Sequence, residues 1–471
     1  MSYRDLRGHI DKLEKAGELQ RVKVEVDPDV ELSAIMRRVF KLNGPACFFE
    51  KVKGAKFPVF TGAMFGHKKY SLMVDAPPNI RDILKKMLNC LENPIEPVMV
   101  KSGPCQQNID TGDKVDLHKF PCIKWHDLDA GPYFGTLGCV ITRDPDTGIK
   151  NLAVIREQLG GNNKLGFNPE QHSGNHLRKY RAMNKPMPVA TAIGVPPSVL
   201  AAALTKAPYG VDEMGIAGAI AGEPIPLVKC QTCDLEVPAD SEIVLEGEVP
   251  PDTSMWEQEG PFGEFTGHFH SLESDQKPTI FLKAVTYRNN PIYQGCSPGI
   301  PPNEETTPRE IGGAAGAWQV LLKTGIPGIK EVNVTEMGCA GFTVIVSMDR
   351  HYYLGNVRQI IYHIMANFFM SKWVIVVDDD VDIFNMGEVN WALATRVQPH
   401  RDIFITDNRF VGVALDPSIA PELSRIPRTQ TSKIGIDATK FYKGHDFPPL
   451  VLDSEERLKQ ITRRWKEYGF K

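Results

Sequence analysis

TLGCVITR (136–143), NLAVIREQL (151–159), PVATAIGV (188–195), IPLVKC (225–230), SEIVLEG (241–247) and TIFLKAVTYRNNPIY (279–293) decide the fold. These runs are short and rich in apolar and β-branched residues, and turn-forming residues separate them. That pattern predicts many short strands in succession, as in a barrel or a curved sheet. On either side of them the pattern changes. Upstream, Leu6, Ile10 and Leu13 recur at helical spacing behind a capping-box-like Ser2 and Asp5. VKVEV (22–26) alternates as a strand, and ELSAIMRRVF (31–40) reads as a helix. In IRDILKKMLNCL (80–91), Ile80, Ile83, Leu84, Met87, Leu88 and Leu91 form one stripe behind Pro77-Pro78. Residues 93–135 read as loops. After Pro308, AAGAWQVLLKTG (314–325) and NVRQIIYHIMANFF (356–369) are helical. GFTVIVSM (341–348) and KWVIVVDDDVD (372–382) are buried strands, so this part alternates as α/β. A last helix follows HDFPPL (445–450), with Asp453 and Glu456 as its capping box. The expectation is an α+β chain: an N-terminal α/β domain at 1–110, a strand-rich domain at 111–305, and a C-terminal α/β domain with a terminal helix at 306–471.

Composition narrows the classes. The 471 residues carry 54 Lys and Arg against 58 Asp and Glu, a formal charge of −4. That argues against a nucleic-acid binder, which normally shows a basic surplus. No apolar run is long enough for a membrane span, and the charged N-terminus has no signal-peptide core. Nine cysteines lack disulfide-like spacing and read as reduced core thiols of a cytoplasmic protein. GxGxxG and GxxxxGK[ST] are both absent, which argues against Rossmann and P-loop chemistry.

EGPFGEFTGHFH (259–270) carries two acids, Glu259 and Glu264, on a loop shaped by Gly260, Pro261 and Gly263. The glycines permit unusual backbone angles. Two acids on a shaped loop suit proton transfer; a solvated turn with surface acids is the plain alternative. Arg156 stands in an apolar strand, where a guanidinium needs a carboxylate partner or a ligand. Asn151 and Arg156 are an odd number of residues apart, so a regular strand would point them to opposite faces. If one pocket uses both, the strand must bulge or the pocket must wrap its edge. Asn151, His172 and Glu213 together make a mixed nitrogen and oxygen donor set, suited to Mn2+ or Mg2+. Cys230-Gln-Thr-Cys233 reads as ordinary core cysteines, and DDDVD (378–382) as a polar loop after a strand.

Taken in order, NLAVIR, QH, GVDEMGIAGAIAGEP, LVKCQTCDLEVPADSEIVLEGE, EGPFGEFTGH, YRNNPIY and VIVVDDDVDIFN resemble the UbiD-type decarboxylases. The resemblance implies a central flavin-reductase-like split β-barrel and prenylated FMN as cofactor. It implies reversible, non-oxidative decarboxylation of an aromatic, heteroaromatic or α,β-unsaturated acid through a covalent substrate adduct with the cofactor. Arg156, Glu259 and Glu264 match the family's catalytic network, in which an uncharged Glu264 would return a proton to carbon. Asn151, His172 and Glu213 match its Mn2+ or Mg2+ ligands, and a K+ is implied near Ala202–Thr205 and Glu213. Cofactor contacts are implied at Asn151, Ala153, Val154, Ile155, Arg156, Gln171, His172, Ala202, Ala203, Glu213 and Lys372. QGCSPGIPPNEETTPRE (294–310) is where the family varies; Cys296, Asn303, Glu304, Thr306 and Arg309 are candidates to touch a substrate substituent, and a mobile loop is the plain alternative. The implied partners are a small carboxylic acid and CO2, a flavin prenyltransferase as cofactor supplier, and further copies of the chain as a homodimer or homohexamer. Two other readings stay open: a flavin-dependent oxidoreductase on the same barrel, and a subunit of a multi-subunit carboxylase.

Overall fold

A computed structural model describes residues 4–169, 171–339, 341–419, 429–440 and 446–470. The strand-rich middle forms one sheet from β1 (Asn108–Thr111), β2 (Cys139–Arg143), β3 (Lys150–Val154), β4 (Glu157–Leu159), β5 (Lys164–Phe167), β6 (Met187–Ile193), β7 (Ile243–Val249) and β8 (Thr279–Tyr287). The order is β3-β2-β6-β7-β8-β5-β4, and β1 pairs with β8. The two ends of that order, β3 and β4, are consecutive in the chain. Only Ile155 and Arg156 separate them. Three Cα–Cα steps of ~3.8 Å put Val154 within about 11 Å of Glu157. The sheet therefore curls until its edges nearly meet. Between Glu246 and Gly247 a register shift in the β7–β8 ladder adds a bulge that supports the curl. The expected curved sheet is met in this form.

A smaller sheet holds Leu19–Val26, Ala46–Val52 and Val59–Thr61 from the N-terminal part, plus Tyr293–Gln294 from far along the chain. A five-stranded sheet in the C-terminal part is ordered Ile329–Val334, Thr343–Met348, Trp373–Asp378, Ile434–Ala438 and Ile403–Ile405. The largest apolar cluster runs through all three regions, from Tyr70 and Ile83 through Cys139 and Val244 to Val332 and Val374. It forms because helix Ile80–Glu92 presents Ile83, Leu84 and Met87 to helix Thr306–Leu322. No helix among the described residues is long and apolar enough to cross a membrane.

Several local expectations change. Asp5, not Ser2, caps the first helix, accepting from the Gly8 N–H at 2.9 Å; Ser2 lies outside the described residues. Asn79 caps the 80–92 helix rather than the prolines before it, because its side chain accepts from the Asp82 N–H. The 314–325 helix starts earlier, at Thr306, since proline is tolerated in a first turn and Pro308 sits there. The terminal helix is Glu455–Arg463, capped by Ser454 instead of Asp453. Cys230 and Cys233 are half-buried at the tip of a hairpin, between strands Pro226–Lys229 and Glu236–Pro238, not inside a strand. DDDVD is the polar loop expected: Asp378 and Asp380 pair with Arg396, and Asp382 with Arg81.

Candidate active site

A cleft of about 210 Å³, partly open to solvent, lies along β3 and the link that follows it. Helix Gln171–Ala182 supplies one wall and helix Glu213–Ala221 another; Phe369, Met370, Val413 and Leu415 close it from the C-terminal part. Arg156 stands in the two-residue link, where the chain has left β3 and not yet begun β4. The parity difficulty with Asn151 disappears there, because no regular strand joins the two residues.

Arg156 grips both acids of the 259–264 loop. Its Nε donates to Glu259 Oε1 at 2.9 Å and its Nη2 to Oε2 at 3.4 Å, while Nη1 donates to Glu264 Oε1. Glu259 and Glu264 are buried, at 3% and 6% exposure, so this is not a solvated turn. Burial works against the guanidinium charge, but the two carboxylates outweigh it and hold the Arg156 pKa above its ordinary range. The Phe262 ring lies 5.7 Å from the guanidinium. One cation against two carboxylates leaves the cluster with one net negative charge.

The loop itself is fixed from outside. Asp129 Oδ1 accepts from the Gly263 N–H at 2.9 Å, and Gln158 Oε1 accepts from the Gly260 N–H at 2.8 Å. Tyr133 Oη donates to Gly260 O at 2.8 Å. His126 Nε2 reaches Pro298 O at 2.9 Å and so ties the same support to the 294–310 segment. Neither Gly260 nor Gly263 has a positive φ. Their need is space: a Cβ on Gly260 would lie 2.0 Å from Ala130 Cβ, and one on Gly263 2.6 Å from the His126 ring.

Asn151, His172 and Glu213 all line the same cleft. His172 Nδ1 is 3.0 Å from Asn151 Oδ1, and Asn151 Nδ2 donates to Ser173 Oγ at 3.1 Å. Glu213 Oε2 accepts from the Leu152 N–H at 2.9 Å. Burial, with help from Lys206, lowers the His172 pKa, so the imidazole is neutral and keeps a lone pair. Burial pushes the Glu213 carboxyl up to about 8, and no ion pair among the described residues offsets it. A buried carboxylate without a counter-charge, beside an amide oxygen and a neutral imidazole, fits a hard divalent cation.

Family models for the UbiD N-terminal domain, the Rift-related domain and the C-terminal domain of 3-octaprenyl-4-hydroxybenzoate carboxy-lyase match residues 10–87, 97–301 and 310–438. An uncharacterized protein of Synechocystis is 31% identical over 99% of this chain and 96% of its own length. The chain belongs to the UbiD family. It is thereby a carboxy-lyase of the UbiD class. UbiD-class HmfF of Pelotomaculum thermopropionicum, in complex with FMN, superposes with a TM-score of 0.84 at 32% identity, covering 97% of this chain and 99% of that one. The closed form of Sedimentibacter hydroxybenzoicus vanillic acid decarboxylase gives 0.88 at 32% identity and 99% of both chains. Klebsiella pneumoniae 3,4-dihydroxybenzoic acid decarboxylase gives 0.81 at 26%, covering 97% and 99%.

Of the residues read as cofactor contacts in this UbiD chain, Asn151, Ala153, Val154, Ile155, Arg156, Gln171, His172, Ala203 and Glu213 line the cleft. Ala202 is fully buried behind the wall. Lys372 is outside the wall and spends its ammonium on Asp416, at 2.8 Å, and on Ser418. The lysine on the wall is instead Lys206, which sequence reading passed over because it follows a run of small residues rather than a strand. Most of the 294–310 segment is buried, with Ile300 exposed. Glu304 accepts from Thr61 Oγ1 at 2.7 Å and from the Gly62 N–H at 2.8 Å, and Asn303 Nδ2 donates to Gly299 O at 2.7 Å. From this segment Cys296, Pro298, Glu305 and Arg309 reach the cleft; Asn303, Glu304 and Thr306 do not line it. Asp129, His126 and Tyr133 also escaped the sequence reading, although WHDLDAGPYF (125–134) is dense in polar and aromatic residues for a loop.

Proposed function

We propose that this chain catalyses reversible, non-oxidative decarboxylation of an aromatic, heteroaromatic or α,β-unsaturated acid with prenylated FMN. One observation carries the reading: Arg156 joins two buried carboxylates on a cleft that Asn151, His172 and Glu213 also line. The FMN and prFMN complexes of HmfF support the cofactor. The curled sheet is read as the flavin-reductase-like split barrel of residues 111–305, between α/β domains at 1–110 and 306–471.

Prenylated FMN, when bound, supplies a sink for the electron pair left when the C–CO2 bond breaks. The chain's own residues do the rest. Asn151, His172 and Glu213 would hold a Mn2+ or Mg2+, whose charge would offset the cofactor phosphate, and Lys206 would add a second positive charge. A K+ would sit by the Ala202–Thr205 stretch near Glu213. Phe262, Phe265 and Met370 offer flat apolar contact to a ring and exclude water. Arg156 orients the substrate carboxylate and keeps Glu259 and Glu264 in place. Glu264, in its protonated form, gives its proton to the carbon that has lost CO2 and is reprotonated from solvent; in carboxylation it takes that proton back. A flavin prenyltransferase supplies the cofactor, and the working unit is a homodimer or homohexamer in the cytoplasm.

Glu264→Gln tests the reading in protein co-expressed with a flavin prenyltransferase. CO2 release from a panel of aromatic acids should fall by at least ~100-fold, while the flavin absorption of the purified protein stays. Normal turnover in this variant would overturn the assignment, and turnover that requires NAD(P)H would replace it with an oxidoreductase.

A further inference from the structure

Outside the cleft, one group of side chains has the makings of a second site. Cys230 and Cys233 sit at the tip of the 226–238 hairpin, and Glu246 lies on β7 beneath it. The two sulfurs and a carboxylate oxygen of Glu246 all lie within 4.8 Å of one another. No other set of three His, Cys, Asp or Glu side chains among the described residues meets that condition. The geometry points to a structural site for a thiophilic divalent cation of the Zn2+ class, held by Cys230, Cys233 and Glu246.

Three features carry this. The spacing is C-x2-C, which lets one turn of chain offer two thiolates to one ion. Tetrahedral coordination with Zn–S bonds of ~2.3 Å needs the sulfurs roughly 3.8 Å apart, so the group needs little movement to close on an ion. The frame is already set. The Cys230 N–H donates to Leu235 O at 2.9 Å, closing the hairpin. The Thr232 N–H and Oγ1 donate to Glu246 Oε2 at 2.8 and 2.9 Å, which fixes the tip over the carboxylate. Glu246 is 1% exposed while the cysteines are half-buried, so an ion enters from the hairpin side. A water completes the fourth position. Binding releases the two thiol protons to solvent and involves no electron transfer. The sulfur donors distinguish this site from the oxygen and nitrogen donors at Glu213. Its role is to staple the hairpin to the centre of the curled sheet.

The test uses the full-length chain, stripped with a chelator under reductant and reloaded with Zn2+ or Co2+ alone. Co2+ should give a thiolate-to-metal charge-transfer band in the near ultraviolet, which an oxygen and nitrogen site does not produce. Zn2+ should bind in competition with a chromophoric chelator and protect at least two thiols from a thiol reagent. Cys233→Ser should abolish the band and weaken Zn2+ binding by roughly 100-fold or more. Glu246→Gln should weaken it less, and His172→Ala should leave the band unchanged. The proposal is overturned if Co2+ gives no such band, or if the band survives in Cys233→Ser.

Discussion

Arg156 does two things: its side chain pairs with both acids of the 259–264 loop, and its backbone forms part of the link between the sheet's edges. A lysine could keep the charge but not the fork that reaches two carboxylates at once. Arg156→Lys should therefore fold yet lose about 100-fold in kcat for CO2 release, since displacement of reacting groups by an ångström costs that much. The neighbouring Glu157 makes a prediction about stability. Its carboxyl is fully buried; Oε1 accepts from Thr191 at 2.6 Å, and Oε2 has no hydrogen-bond partner among the described residues. Burial pushes its pKa from 4.5 up to about 8. The folded chain then holds a proton that the unfolded chain releases, so this group's contribution is full below about pH 4.5 and is lost as pH rises to about 8. The slope is roughly 1.4 kcal/mol per pH unit. Glu157→Gln should match the wild type in Tm at pH 5 and exceed it at pH 8; equal Tm values at both would refute the assignment. Arg156 was legible in the sequence because a guanidinium in an apolar strand demands a partner. Glu157 was not, because nothing in EQL says that its side chain turns inward.

Among the elements, the 259–264 loop is the most constrained. Gly263 abuts the His126 ring, and its N–H is held by Asp129. Gly263→Ala should push the loop off its support and lower kcat by about 100-fold, with circular dichroism unchanged; an active variant would show that the contact yields. The sequence revealed the loop's acids and glycines, but gave the wrong reason for the glycines. Backbone angle is a local property and can be guessed from a local pattern. Close approach depends on Ala130 and His126, which are far away in the chain. The cap of the terminal helix failed similarly: Ser454 stands beside Asp453, an equally plausible capping residue, and side-chain geometry chose between them.

For the whole molecule, the succession of strands and helices was legible, whereas the way the regions interlock was not. Tyr293–Gln294 joins a sheet begun more than two hundred residues earlier, and one apolar cluster unites all three regions. Such long-range pairing leaves no periodic mark in the sequence. The terminal helix Glu455–Arg463 has no buried residue; its Leu458 is exposed, as are Trp465 and Phe470 beyond it. A helix of that length is marginal alone, and docking on another copy would stabilise it. Removal of residues 451–471 should reduce the assembly's mass in light scattering from an oligomer to a smaller species; an unchanged mass would exclude this helix as the link. The two-residue join between β3 and β4 limits how the gene can vary. One inserted codon there would rotate 157–159 by half a pleat, sending Glu157 outward and Gln158 inward, and would move Arg156 off the acids. Insertions should survive in the exposed turn near residues 145–149 and be purged at 155–156, so the tolerated length of this join is itself a signature of the activity.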